Sequence, residues 1–514
     1  VKNIFKDQKY QVIQTYKGKE LAGLEYYQPF AYFNNEHARI LYDIKNTKNP
    51  KVWCADFVGN EEGTGIVHIA PAYGEDDYQL YLDHKNEIDF IDVLDENGYY
   101  LPAVADRLRS WLEVRDTDEH GIQIWAANKF IAKCLEAKGI VHKIEYIQHE
   151  YPFNPRSKER IMYRAFPSWF FDIQGQKALM LAENENINWF PEYLKHGRFA
   201  KNIEAAPDWN LSRDRFWATA MPVWKGDKGT VKVIGSYDEL YELSGKRLDD
   251  YHRPWVDEIE FDIDGEHFKR IEKVLDCWFE SGSMPFAQYH YPFENKDLFH
   301  QTFPADFISE AVDQTRGWFY TLLVISTLLF DKAPFRNCIV LGHVNDKNGI
   351  KMSKHKGNVV DPWTILDKQG ADAVRWYFYT SSAPWLPSRF YAEAVSEGQR
   401  KFMGTLWNTY AFFVLYANID KFDPTKYNIE DCKLSVMDKW LLSKLNTLIK
   451  EVDNNLENYK ITETSRILQE FVDDLSNWYV RRSRERFWGK EMTQDKINAY
   501  MTLYTTLVEL AKIS

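Results

Sequence analysis

Lys351, Lys354 and Lys356 lie within six positions of one another in the stretch GIKMSKHKGN (349–358). Ammonium groups on flexible stems suit a polyanion whose charge moves during a reaction. The plainer reading is a solvated basic turn, the usual fate of such a charge run. A second group is Glu310, Asp313, Gln314 and Trp318 in SEAVDQTRGW (309–318). Glu310 could accept from a substrate ammonium, Asp313 and Gln314 could hydrogen-bond ribose hydroxyls, and Trp318 could form an apolar wall; equally, Asp313 suits the first turn of a helix. A third pairs His68 with Asp77 in GTGIVHIAPAYGEDDY (63–78). They could position a water or bind an amine, or be a strand histidine beside a helix-capping acid. A fourth is DWNLSRDRFW (208–217), where Arg213 and Arg215 could take a phosphate or simply pair with nearby acids.

The surrounding pattern suggests what positions these groups. CIVL (338–341) reads as a buried strand running into the lysine stretch, with His343 at its end and Gly349, Gly357 and Asn358 as breakers. FPADFISE (303–310) reads as a short strand, and 311–319 opens a helix that continues to about Phe330. Polar groups at a strand's carboxyl end beside a helix start belong where doubly wound sheets bind ligands. Residues 63–71 read as a strand with glycines at its entry and Pro71 at its exit, followed by a helix capped by one of the acids at 75–77. Residues 225–275 are polar and β-like, an insertion, and DCWFESGS (276–283) is an aromatic supporting turn. From about 394 the pattern is helical. One stripe is Leu434, Met437, Leu441, Leu445, Leu448 and Val452, opened by the capping pair Ser435 and Asp438; a second runs through Ile467, Phe471, Leu475 and Tyr479; a third through Ile497, Tyr500, Tyr504, Leu507 and Ala511. Together they predict an antiparallel helical bundle. Arg481, Arg482, Arg484 and Arg486 crowd one part of it, facing phosphate or solvent.

At 514 residues the chain exceeds one core, and two to four domains are expected. It contains no run of eighteen apolar residues, so no membrane span is expected. Five cysteines, at 54, 134, 277, 338 and 432, form no C-x-x-C pair. That argues against a disulfide framework and a cysteine zinc site, and suits a reducing cytoplasm. The net charge of −12 disfavours indiscriminate nucleic-acid binding but permits a local basic face. The chain starts at Val1 and ends inside an apolar-periodic stretch, and is expected to be an internal piece of a longer protein.

The full motifs carry a resemblance. KMSKHKGN (351–358) resembles the KMSKS signature of class I aminoacyl-tRNA synthetases, with His355 in place of the last serine. EAVDQTRGWF (310–319) is similar to the corresponding string of isoleucyl-tRNA synthetases, with Ala311 replacing a glycine. WNLSRDRFWATA (209–220) resembles another segment of those enzymes, with Ala218 and Ala220 replacing glycine and proline. GADAVR (370–375) and DCWFESG (276–282) resemble further family segments, and LSNWYVRRSRERFW (475–488) resembles the anticodon-binding bundle. The 63–78 string resembles the editing domain of isoleucyl and valyl enzymes, whose threonine-rich partner segment is not found in residues 1–62. Asn154 and Ser157 stand where many bacterial relatives carry a zinc-binding cysteine pair, so no zinc is expected there.

This resemblance implies a multidomain α/β protein. It would have a partial, doubly wound, Rossmann-like nucleotide-binding catalytic domain, a β-rich editing domain and a C-terminal α-helical bundle. The expected boundaries are a partial editing domain at 1–145, the second half of the catalytic domain at 146–393 and a truncated anticodon-binding bundle at 394–514. The implied reaction joins isoleucine to ATP, with Mg2+, and passes the aminoacyl group to tRNA(Ile), with hydrolytic editing of misactivated valine. Lys351 and Lys354 would be catalytic; with Met352, Ser353 and His343 they would bind ATP. Glu310, Asp313, Gln314, Trp318 and Trp217 would hold the aminoacyl-adenylate. His68 and Asp77 would line the editing pocket, with Asp77 taking the α-amino group. A monomer is expected. No HIGH-type histidine motif is found, so adenylate formation by this chain alone is not expected. The alternatives are a valyl- or leucyl-type enzyme and a non-catalytic tRNA-binding fragment.

Overall fold

The computed structural model describes residues 5, 9–26, 50–59, 64–102, 104–105, 122–146, 148, 150–154 and 157–514. Much of the 1–62 region searched for a threonine-rich segment, together with Gly63, lies outside these residues. The chain divides into two compact units, Val1–Pro167 and Ser168–Ser514.

In the first unit the described residues form the helices Gly18–Leu21, Glu75–Asp83 and Ile124–Ala137. Pairing is limited to isolated bridges, among them Leu94 with Tyr100 and Tyr99 with Gln123. The β-rich expectation for 1–145 is therefore corrected for these residues, and the strand expected at 63–71 is an extended run without a ladder, with Ile66 66% and Val67 53% exposed. β-propensity reflects fit to a half-buried pleated surface, and no neighbouring strand among the described residues supplies one here. The small core is Val104, Ala105, Ile122 and Ala127, packed by Val93, Tyr100 and Ile131. Arg164 ties the segment after 146 to this unit: its Nε and Nη2 donate to Asp92 Oδ2 at 3.0 and 2.8 Å. The two compact units divide at Pro167 and Ser168.

The second unit is built around a three-stranded parallel sheet, in which Phe335–Leu341 lies between Ala305–Ala311 and Asn188–Phe190. The register sets Glu310 opposite Val340 and Ala311 opposite Leu341, so both strands end at the same edge. A parallel sheet needs cover on its faces. The helix Trp318–Phe330, apolar almost all round, buries Phe319, Leu322, Leu323 and Val324 in one core with Trp189, Ile308, Cys338 and Val340. This helix does not begin at 311: a 3-10 turn, Val312–Arg316, comes first, and Gly317 (φ −141°, ψ −116°) breaks the chain between them. Residues 223–270 carry a four-stranded antiparallel sheet with its own core of Trp224, Ile234, Leu240, Phe261 and Phe268.

The C-terminal helices Thr405–Ile419, Val436–Glu457, Ile461–Asp473, Arg481–Trp488 and Gln494–Ile513 share one core. Ser435 and Asp438 form the expected capping box at the head of Val436–Glu457. The final helix departs from its expected stripe. Ala499, Tyr500, Leu503 and Leu510 are fully buried, and Ala511 is exposed. A central helix is covered on most sides, so a single stripe understates what it buries. No helix among the described residues is long and apolar enough to cross a membrane.

Candidate functional site: a lysine loop at the edge of the parallel sheet

The lysine loop grows from the end of the central strand. Gly342 donates to Pro384 O at 2.8 Å, and a Cβ there would sit 2.3 Å from Leu386 O, so only glycine allows this crossing. The His343 carbonyl accepts from Ser388 N at 3.0 Å, and Val344–Asn345 then pairs in parallel with Ser388–Arg389. The chain turns back through Gly349, at φ +83°, to a bridge between Asn345 and Lys351. Asp346, only 9% exposed, organises the turn. Its Oδ1 accepts from Asn348 N and Ile350 N, both at 2.9 Å, and its Oδ2 accepts from Asn358 Nδ2 at 3.0 Å. Asn358 Oδ1 in turn accepts from Ser353 N at 3.0 Å. The Asn358 amide, then the backbone N–H groups, hold the Asp346 carboxyl below the usual carboxylate range. Ser353 Oγ accepts from Lys356 N at 3.3 Å and opens the short 3-10 turn Lys354–Lys356, which Gly357 closes at φ +64°. Met352 is turned inward against the core of Ile365, Ala373, Phe390 and Val395. Lys351, Lys354 and Lys356 are exposed, and none is in an ion pair among the described residues.

Of the expected ATP contacts, then, Lys351 and Lys354 point outward, Met352 anchors the loop and Ser353 caps its turn. Sequence reasoning passed over Asp346 and read Asn358 only as a breaker. The available signal was Asp346 three residues before Gly349, since an aspartate can fold onto nearby N–H groups while glycine supplies positive φ.

The second cluster leaves the same sheet edge, from the adjacent strand. Glu310 and Asp313 are exposed. Gln314 is engaged with neighbouring protein groups. Its Oε1 accepts from Trp318 N at 2.9 Å, capping the helix beyond the Gly317 break, and its Nε2 donates to Asp313 Oδ2 at 3.2 Å. Trp318 is half-buried, and its Nε1 donates to Ser281 O at 3.1 Å, joining the helix to the 276–283 turn. Trp217 has a ring partner in the antiparallel insertion. It is 64% exposed and stacks on His252, with centroids 4.7 Å apart and planes at 11°. Arg213 follows the ion-pair reading: its Nη2 donates to Asp276 Oδ2 at 2.6 Å, and Asp276 also accepts from Trp209 Nε1 at 3.1 Å and Trp278 N at 3.2 Å. Through Asp276 the 208–217 motif is tied to the 276–283 turn, where a charge-assisted pair engages Arg213.

Comparison with known proteins shows the family. Residues 36–385 match the family described as tRNA synthetases class I (I, L, M and V). The chain belongs to that family. As a class I tRNA synthetase chain, it also matches the anticodon-binding domain of tRNA ligase over residues 438–514. It is 48% identical over 509 residues to an isoleucine–tRNA ligase of Clostridium acetobutylicum, covering 98% of this chain and 47% of that protein. It is 41% identical over 511 residues to isoleucine–tRNA ligase 2 of Bacillus cereus, with 98% and 47% covered. The chain thus spans about half the length of the curated relatives it matches. Among solved structures, a methionyl-tRNA synthetase of Mycobacterium tuberculosis in complex with methionyl-adenylate shares the fold, with a TM-score of 0.51 at 14% identity, covering 71% of this chain and 63% of that one.

Three further expectations for this synthetase chain meet particular geometry. Asp77 does not cap its helix; Gly74 holds the N-cap position, and Asp77 Oδ2 reaches back to accept from Ala70 N at 3.0 Å. His68 is exposed. Asn154 Oδ1 accepts from Ser157 N at 3.2 Å, and Asn154 N donates to Glu159 O at 2.8 Å. Among the described residues no group of three or more His, Cys, Asp or Glu converges as a metal site. Asp346, five residues before Lys351, is already engaged by protein donors. These residues form no all-protein cage for Mg2+, an ion that ordinarily enters such sites with substrate phosphates.

Proposed function

We propose that the second unit carries part of the amino-acid-activating site of an isoleucine–tRNA ligase. The observation that supports this most is the outward display of Lys351 and Lys354 on a tightly braced loop, at the sheet edge where the Glu310–Asp313 segment also emerges. In the reaction the isoleucine carboxylate attacks the α-phosphorus of ATP. The bond to the bridging oxygen breaks, and pyrophosphate leaves with that electron pair. Little covalent work falls to the protein, so positioning and charge stabilisation dominate. Lys351 and Lys354 stabilise the negative charge gathering on the leaving pyrophosphate. Glu310 accepts from the substrate ammonium, with exposed Asp313 beside it, and His343 lines the approach from the end of its strand. The adenylate then passes its acyl group to the 3′-terminal ribose of tRNA(Ile). We assign catalysis to 168–393, anticodon binding to the bundle from 394 and editing to the first unit. An editing step is chemically motivated: one methylene in an apolar pocket is worth about 1–3 kcal/mol, a magnitude already established for isoleucine against valine.

The test is amino-acid-dependent ATP–pyrophosphate exchange by the full-length protein, with isoleucine, valine and leucine compared. Exchange strongest with isoleucine is expected. A preference for leucine, or for valine without isoleucine, moves the assignment within the family. Absence of exchange with tRNA binding retained replaces it with a non-catalytic tRNA-binding role.

A further inference from the structure

The lysines owe their outward stance to two residues that touch no substrate in the scheme above. Asp346 and Asn358 stand on opposite arms of the loop and are joined directly, Asn358 Nδ2 donating to Asp346 Oδ2 at 3.0 Å. Asp346 holds the N–H groups of Asn348 and Ile350, immediately before Lys351. Asn358 holds Ser353 N, immediately before Lys354, and its Nδ2 also donates to Lys351 O at 3.3 Å. The backbone preceding each of the two lysines is therefore fixed by one member of the pair. The carboxylate that does this faces backbone and amide donors, so it neutralises neither ammonium. Inward packing of Met352 pins the same segment from the other side.

We propose that Asp346 and Asn358 are the positioning residues of the activation step, setting where the Lys351 and Lys354 ammonium groups meet the departing pyrophosphate. This rests on the function proposed above. The hydrogen-bond polarity makes it testable. In D346N the new amide faces the Asn358 amide, donor against donor; flipping Asn358 relieves that contact only by turning its N–H groups onto Ser353 N. In N358D two carboxylates face each other. In D346N/N358D the amide and carboxylate exchange places: the amide at position 346 accepts from the N–H groups of Asn348 and Ile350 and donates to the carboxylate at position 358, which accepts from Ser353 N.

The experiment measures isoleucine-dependent pyrophosphate exchange in the full-length protein for both single variants and the double, alongside hydrogen exchange at Ile350 and Ser353. Misplacement of reacting groups by an ångström can cost about a hundredfold, so kcat is expected to fall about tenfold to a hundredfold in each single variant, with KM for isoleucine unmoved. The double variant should recover part of the loss, since the carboxylate at position 358 has no N–H to give Lys351 O, and protection of Ser353 N should fall and return in parallel. Single variants within about twofold of wild type, or a double variant no better than the worse single, overturn the inference while the proposed function stands. A wild-type protein without exchange overturns both.

Discussion

Two basic stretches of this chain look alike as strings and behave oppositely as structures. In the lysine loop, Lys351, Lys354 and Lys356 are all exposed, and the buried acid nearby, Asp346, faces backbone and amide donors. In the 481–486 stretch the run is divided. Arg481, Arg482 and Arg484 are exposed, with Arg482 lying 3.7 Å over the Trp478 ring. Arg486 is withdrawn into the bundle, where Nη1 and Nη2 donate to the fully buried Asp438 at 2.7 and 2.9 Å and a second pair reaches Asp495 at 2.8 Å. Tyr479 adds its hydroxyl to Asp438 at 2.7 Å. Counting cations therefore says little about which are available to a phosphate. The orientation of the nearest buried carboxylate decides it.

The comparison breaks most sharply at Arg486. R486A leaves the Asp438 charge buried without its cation and is expected to cost about 3–5 kcal/mol of stability, read from denaturant unfolding of the second unit. The reverse holds in the loop: K351A and K354A should each lower pyrophosphate-exchange kcat about 10²–10³-fold while leaving unfolding within about 0.5 kcal/mol of wild type. A stability loss comparable to that of R486A would mean that these lysines brace the loop.

Acid titration sharpens the contrast. Burial works to raise the Asp438 carboxyl, but its bonds from Arg486, Tyr479 and Ser435 outweigh burial and hold it below the ordinary value. A depressed folded pKa contributes stability that is in place above the unfolded value of about 4 and is lost as pH falls through the folded value. The wild-type bundle should therefore lose stability on acidification. In R486A burial takes over, the folded pKa rises above the unfolded one, and mild acid should recover part of the deficit. A denaturant-midpoint series across acidic pH for the two proteins checks this; parallel curves would remove Arg486 as the cause. The smallest effect is expected at R481A and R484A, within about 0.5 kcal/mol of wild-type stability. If either meets tRNA phosphate, the salt slope of tRNA binding should shallow by about one for each contact.

Much of the site was legible because it is local. The strand at 305–311, the strand leading to the lysines and the Ser435–Asp438 box are patterns spanning a few residues, and each forms. Gln314 and Trp217 were legible as polar and aromatic side chains but not as partners. Gln314 turned to the N–H of Trp318 because the Gly317 break left that donor open, and Trp217 met His252 from the antiparallel insertion. The 63–71 segment had the composition of a strand but no ladder partner among the described residues.

The motifs by their resemblance pointed to the family, and residue types and spacing by themselves predicted a parallel-sheet edge carrying Lys351, Lys354 and Glu310 as exposed charged groups. Turn chemistry, capping and hydrophobic period act over neighbouring positions and survive in a string. Only the tertiary structure decided which charges stay outward. Arg213 meets Asp276 across 63 residues and Arg486 meets Asp438 across 48. A buried carboxylate must be satisfied by whatever donor the fold delivers, and that choice is made by packing between distant segments, where sequence spacing carries no information.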